Sequence, residues 1–120
     1  MSSFLWVFLG GGLGSICRFA IAKWMSAWQL DFPLATLIAN ALACILLGYL
    51  FAFNLKTELP SSLKWLLMTG FCGGFSTFST FSNETFQLFQ NGETAYALIN
   101  IAGSLLLCLF CIFIGLKIGQ

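Results

Sequence analysis

Four long stretches of this chain carry no charged side chain: residues 1–17, 32–55, 65–83 and 94–116. Each is close to the about 17 to 25 residues that take an α-helix across a hydrocarbon core of roughly 30 Å. Charge is scarce elsewhere too. Five Lys or Arg and four Asp or Glu make 8% of 120 residues, against about 25% in an ordinary soluble domain. So few polar groups cannot cover a water-facing surface, which makes lipid the solvent and an all-α membrane protein the fold class. The pattern predicts four transmembrane helices in one domain over residues 1–120, at about 4–25, 33–53, 63–90 and 94–117. The breaks at Ser26 to Phe32, around Pro60 and at Asn91-Gly92 are short, which imposes an up-down arrangement without room for a second domain. The first helix lacks a positive leader and a small-residue cleavage site, so no removable signal peptide is expected.

The same inventory excludes several functions. A net charge of +1 without a basic run is not a nucleic-acid footprint. There is no His, and the carboxylates are Asp31, Glu58, Glu84 and Glu93, of which only Glu84 borders a polar part of a span. Neither an acid-base pair nor an activated nucleophile is assembled, so an enzyme is not expected. Cys17, Cys44, Cys72, Cys108 and Cys111 form no CxxC motif and read as small apolar fillers.

Orientation signals are weak. Trp6, Tyr49 and Trp65 fall toward one face and Trp24, Trp28 and Tyr96 toward the other, as aromatic belts should. Lys56, Lys64 and Lys117 lie on the first side and Lys23 with Arg18 on the second, a small bias. Such a chain either inserts both ways round and pairs as an antiparallel dimer, or is singly oriented with few charges.

Polar residues sit inside the spans rather than at their rims. Asn40 lies in the second helix, Asn100 and Ser104 in the fourth, and Ser76, Thr77, Ser79, Thr80, Ser82 and Asn83 in the third. Buried hydroxyls and amides must face protein or a watery path, as interhelical glue or as its lining. In helix one, Gly10, Gly14 and Arg18 recur every four residues: two bare patches suited to close packing, then a guanidinium that either snorkels or charges an aqueous vestibule. In helix three, Gly73-Gly74 precedes a hydroxyl-rich run, which predicts a break near 73–77. Carbonyls freed there suit a hard cation such as Na⁺. Phe75, Phe78 and Phe81 follow every third residue, and the positive ring edges, with neighbouring hydroxyls, suit a small anion losing its water.

These residues resemble the small dual-topology fluoride channels of the Fluc type. The resemblance covers nearly the whole chain and rests on Gly11-Gly12-Leu13-Gly14-Ser15-Ile16-Cys17-Arg18-Phe19, on Thr36-Leu37-Ile38-Ala39-Asn40 and, most specifically, on residues 70–82. It implies a passive, selective fluoride exporter protecting the cell from fluoride, built as an antiparallel, dual-topology homodimer with two pores in the inner (plasma) membrane. Asn40 would be the amide donor of the path and Phe78 and Phe81 its ring pair. Thr36, Ser79, Thr80, Glu84 and Ser104 would extend the polar track, and Arg18 would stand near the vestibule. Main-chain oxygens of Gly73 and Ser76, doubled by the two-fold axis, would hold a structural Na⁺. Three positions depart from the family pattern: Ala35 for Gly, Ser76 for Thr, and Asn100 where some relatives carry Tyr. A small multidrug exporter of the same length is the alternative, disfavoured by the lack of a carboxylate in helices one and two.

Overall fold

The computed structural model describes residues 2–120 and is helical, with no strand among them. The elements are α1 (Ser2–Met25), a 3-10 turn (Ser26–Trp28), α2 (Leu34–Lys56), α3 (residues 61–75), α4 (Phe78–Gln90) and α5 (Thr94–Gly119). Three segments are long and apolar enough to cross a bilayer: Ser2–Trp28, Leu34–Lys56 and Thr94–Gly119, of 27, 23 and 26 residues. The chain is a membrane protein, and its large exposed side chains, such as Phe8, Leu55 and Leu106, match a lipid surround.

Local chemistry sets the helix ends. Ser26 donates its hydroxyl to the Lys23 carbonyl at 2.6 Å, Gln29 turns left-handed at φ 49°, and Pro33 precedes α2. After α2, the Asn54 side-chain oxygen accepts the Leu59 amide at 2.8 Å, and Pro60 precedes α3. Gly92, at φ 80°, makes the turn into α5, a conformation that favours glycine. α3 departs from the regular helix expected of it: Lys64–Cys72 is π-helical between the α-helical turns Ser61–Leu63 and Gly73–Phe75. Its close backbone contacts with α1 fall at Leu66, Gly70, Phe71, Gly74 and Phe75.

Two helix pairs pack backbone to backbone. A Cβ on Gly10 would strike the Leu66 carbonyl, one on Gly14 the Phe71 carbonyl, and one on Gly74 the Gly11 carbonyl, so α1 and α3 meet through glycine. The second seam was not anticipated: Gly48 meets the Ile112 carbonyl, Gly115 the Ile45 carbonyl, and Gly119 the Tyr49 carbonyl. In both seams contacts advance in the same direction along the two helices, so α1 runs parallel to α3, and α2 to α5. Buried Ala39, Ala43 and Phe75, with Ile21 and Phe71 packed on them, join the two pairs. Small residues on α2 thus let the Phe75 ring reach the centre.

Candidate functional site

The site is organised around the two residues between α3 and α4. Ser76 (ψ 158°) and Thr77 (φ −152°, ψ 128°) are extended, while Gly73 is helical at φ −65°, ψ −37° and Gly74 lies within the same helical turn. The interruption therefore falls just after the glycine pair, not at it. Gly74 is used for approach to Gly11, and it is the following hydroxyl residues that leave the helix. Thr77 caps α4, its side-chain oxygen accepting the Thr80 amide at 3.2 Å.

Asn40 of α2 spans this interruption. Its side-chain oxygen accepts the Thr77 amide at 2.8 Å and its Nδ2 donates to the Thr77 carbonyl at 3.2 Å. This reciprocal pair has an electronic consequence for the end of α3. In an unbroken helix the Gly73 carbonyl would receive the Thr77 amide, and the Ser76 carbonyl the Thr80 amide. Both amides are instead directed to side-chain oxygens. The two main-chain oxygens named for sodium are thereby relieved of their helical partners, at the negative end of α3. Gly73 is exposed, and nothing lies within 4 Å of where its Cβ would stand. Main-chain oxygens without helical donors are hard ligands of the kind an alkali cation takes, and two from one chain leave the rest of its shell to come from elsewhere.

The other helices hold the flanks of the interruption. From α1, Arg18 Nε donates to the Gly74 carbonyl at 3.2 Å and Ser15 Oγ approaches the same oxygen at 3.5 Å. Its guanidinium thereby complements the α3 C-terminus, where a cation is favourable. From α5, Asn100 is 2% exposed and donates Nδ2 to Thr85 Oγ1 at 2.8 Å. Thr85 donates its own hydroxyl to the Phe81 carbonyl at 2.8 Å, and Ser104 donates to Asn100 Oδ1 at 3.1 Å. Thr85 was missed by sequence reasoning; its position fifteen residues before Asn100, across the Asn91-Gly92 turn, is the signal that pairs them.

The structure gathers some expected site residues and separates others. Asn40, Ser76, Phe78, Phe81 and Ser104 share a cavity of 450 Å³ with Thr77, Ile101, Leu105 and two cysteines. The Phe78 and Phe81 rings lie 5.8 Å apart at 41°, so edges as well as faces are presented. Phe78 is 79% exposed and stands at the rim. Glu84 lies elsewhere, in a pocket of 230 Å³ against the α1–α2 connection, with one buried oxygen lacking a partner and the Thr36 hydroxyl beside it. Ser79 and Thr80 belong to the cap of α4, Ser79 Oγ lying 3.3 Å from Thr77 Oγ1, and neither lines the main cavity. Gly73 and Ser76 border a third pocket, of 140 Å³.

Comparison with known proteins now bears on this geometry. Residues 5–116 match the family described as CrcB-like protein, Camphor Resistance (CrcB). A protein of Pyrococcus horikoshii, named Fluoride-specific ion channel FluC, is 45% identical over 114 residues, covering 93% of this chain and 91% of its own. Proteins of the same name from Serratia proteamaculans and Magnetococcus marinus are 45% and 40% identical, covering 91% and 96% of this chain and 90% and 95% of theirs. With a family match along most of its length and relatives this similar from end to end, the chain belongs to the CrcB-like family.

Proposed function

We propose that this protein is a passive, selective fluoride channel of the inner (plasma) membrane, and not an enzyme, in keeping with the name its relatives carry. The observation that carries the reading is the shared cavity: an amide, a serine hydroxyl and two phenyl rings converge where a helix begins in mid-chain. The Phe78 and Ser79 amides at the start of α4 have no intrahelical acceptor, the Thr80 amide being capped by Thr77, and they place the positive end of a helix dipole at the cavity. A compact, strongly hydrated anion exchanges water for such donors, for the second amide proton of Asn40 and for ring edges. Larger halides bind the same donors less strongly and fit the constriction less well.

In this reading α3 and α4 together make the fourth crossing, a broken third span whose two halves meet at Ser76-Thr77. Two copies pair antiparallel, from chains inserted both ways round, giving two pores. The pairing covers Phe78 and brings a second set of Gly73 and Ser76 oxygens, four ligands in all, around a structural Na⁺; the ion supplies positive charge to oxygens that the break has freed. Thr36, Ser79, Thr80 and Glu84 extend the polar track beyond the cavity, and Arg18 supplies positive potential on that side. Proteoliposomes loaded with fluoride or chloride and followed with ion-selective electrodes test the function. Rapid fluoride loss beside slow chloride loss is expected; equal loss of both, or loss of neither, overturns it.

A further inference from the structure

Two of the cysteines do more than fill space. Cys44 follows Asn40 by four residues on α2, and Cys108 follows Ser104 by four on α5, so each thiol lies one turn beyond a polar group on the same face. All four residues line the 450 Å³ cavity. The glycine seam sets the two thiols side by side. Gly48 contacts Ile112 on the parallel helix, and Cys44 and Cys108 each precede that contact by four residues. Both thiols are partly accessible. Cys72 and Cys111 are buried and Cys17 faces outward.

The donor set selects its ligand. Among the described residues no three His, Cys, Asp or Glu side chains are grouped to hold a metal, so a tetrahedral zinc site is not assembled. Two sulfurs from adjacent helices instead suit a soft cation content with two ligands, such as Hg²⁺, Ag⁺ or Cu⁺. We propose that Cys44 and Cys108 form a chelating site for a soft two-coordinate cation, and that its occupancy obstructs the cavity. With mercuric chloride two S–H bonds break, two S–Hg bonds form, and two chloride ions and two protons leave to solvent. Mercury stays divalent and nothing is oxidised. The obstruction, though not the binding, rests on the channel reading above, because the ligand sits one turn from Asn40 and Ser104.

The test treats the full-length protein in liposomes with mercuric chloride and then washes it with a monothiol, which strips mercury held by one sulfur. Intact mass should show one mercury retained per chain at the expense of two protons, and fluoride efflux should fall roughly tenfold or more, as a plugged constriction requires. The Cys44→Ala/Cys108→Ala and Cys44→Ser/Cys108→Ser proteins should retain none, and the ratio of treated to untreated flux should stay near one in each. Mercury retained equally by the wild-type chain and both double variants, or by none of them, overturns the site. Retention without loss of an otherwise measurable fluoride flux overturns the obstruction. Absence of fluoride flux before treatment refutes the channel reading instead, and mercury retention still decides the thiol site.

Discussion

Replacing Asn40 by Leu removes the brace that holds the interruption between α3 and α4. The change deletes two hydrogen bonds, at 2.8 and 3.2 Å, and leaves both main-chain polar groups of Thr77 facing a mostly apolar wall. At about 1 kcal/mol net for each bond, the braced geometry loses about 2 kcal/mol, a roughly thirtyfold shift in its population relative to relaxed alternatives. If fluoride requires that geometry, efflux from proteoliposomes should fall by a comparable factor. A residue that only lines a path would also slow the ion when truncated, so flux alone does not isolate the brace. Amide hydrogen exchange does, because unbracing exposes the Thr77 N–H, whereas loss of a lining amide leaves it protected. Asn40→Asp separates the two bonds, keeping the acceptor for the Thr77 amide while setting an oxygen against its carbonyl. Flux within about threefold of wild type in Asn40→Leu, well short of the worked factor, or Thr77 exchange unchanged in that variant, would refute the reasoning.

Other expectations follow from the seams and the polar chain. Gly48→Ala and Gly115→Ala drive a methyl into an opposing carbonyl and should each cost about 1 to 3 kcal/mol by thermal unfolding in detergent, whereas Gly12→Ala, with open space around it, should not destabilise. Thr85→Val removes the acceptor of buried Asn100 and should cost about 1 to 3 kcal/mol, while Thr85→Ser should restore most of it. Phe81→Ile should slow fluoride efflux while leaving the unfolding temperature within a few degrees of wild type, since the Phe81 contact in the polar chain is made by its carbonyl.

Reading residues as types was enough for the helical class and for the glycine stripe at Gly10 and Gly14, because charge scarcity and four-residue spacing act through simple geometry. The seam at Gly48, Gly115 and Gly119 went unread although Gly115 and Gly119 repeat the four-residue spacing of Gly10 and Gly14; their partner Gly48 lies on a helix far away in sequence, and only the fold brings it to them. The π-helical course of Lys64–Cys72 has no signature in side-chain periodicity that sequence reasoning exploited. At the candidate site, Asn40, Phe78, Phe81 and Ser104 are brought to one cavity, yet of the glycine pair that suggested a break, Gly74 serves packing and Gly73 stays helical and open. Propensity identifies residues that tolerate unwinding, while the position of the break depends on which amides find better acceptors, one of them local, Thr77 Oγ1, and one from another helix, Asn40 Oδ1.

That dependence gives the interrupted segment its logic. Each of the three long helices contributes a polar side chain to it: Arg18 of α1 holds the Gly74 carbonyl, Asn40 of α2 holds both polar groups of Thr77, and Asn100 of α5 reaches the Phe81 carbonyl through Thr85. These contacts fall before, at and after the break, so neither half can shift along its axis without losing a charged or amide partner in an apolar medium, where such losses weigh most. Interhelical bracing and cavity lining are thus compatible roles for one side chain. Asn40 and Ser104 are hydrogen-bonded into this frame and also border the cavity, so the same side chains brace the segment and shape the opening beside it.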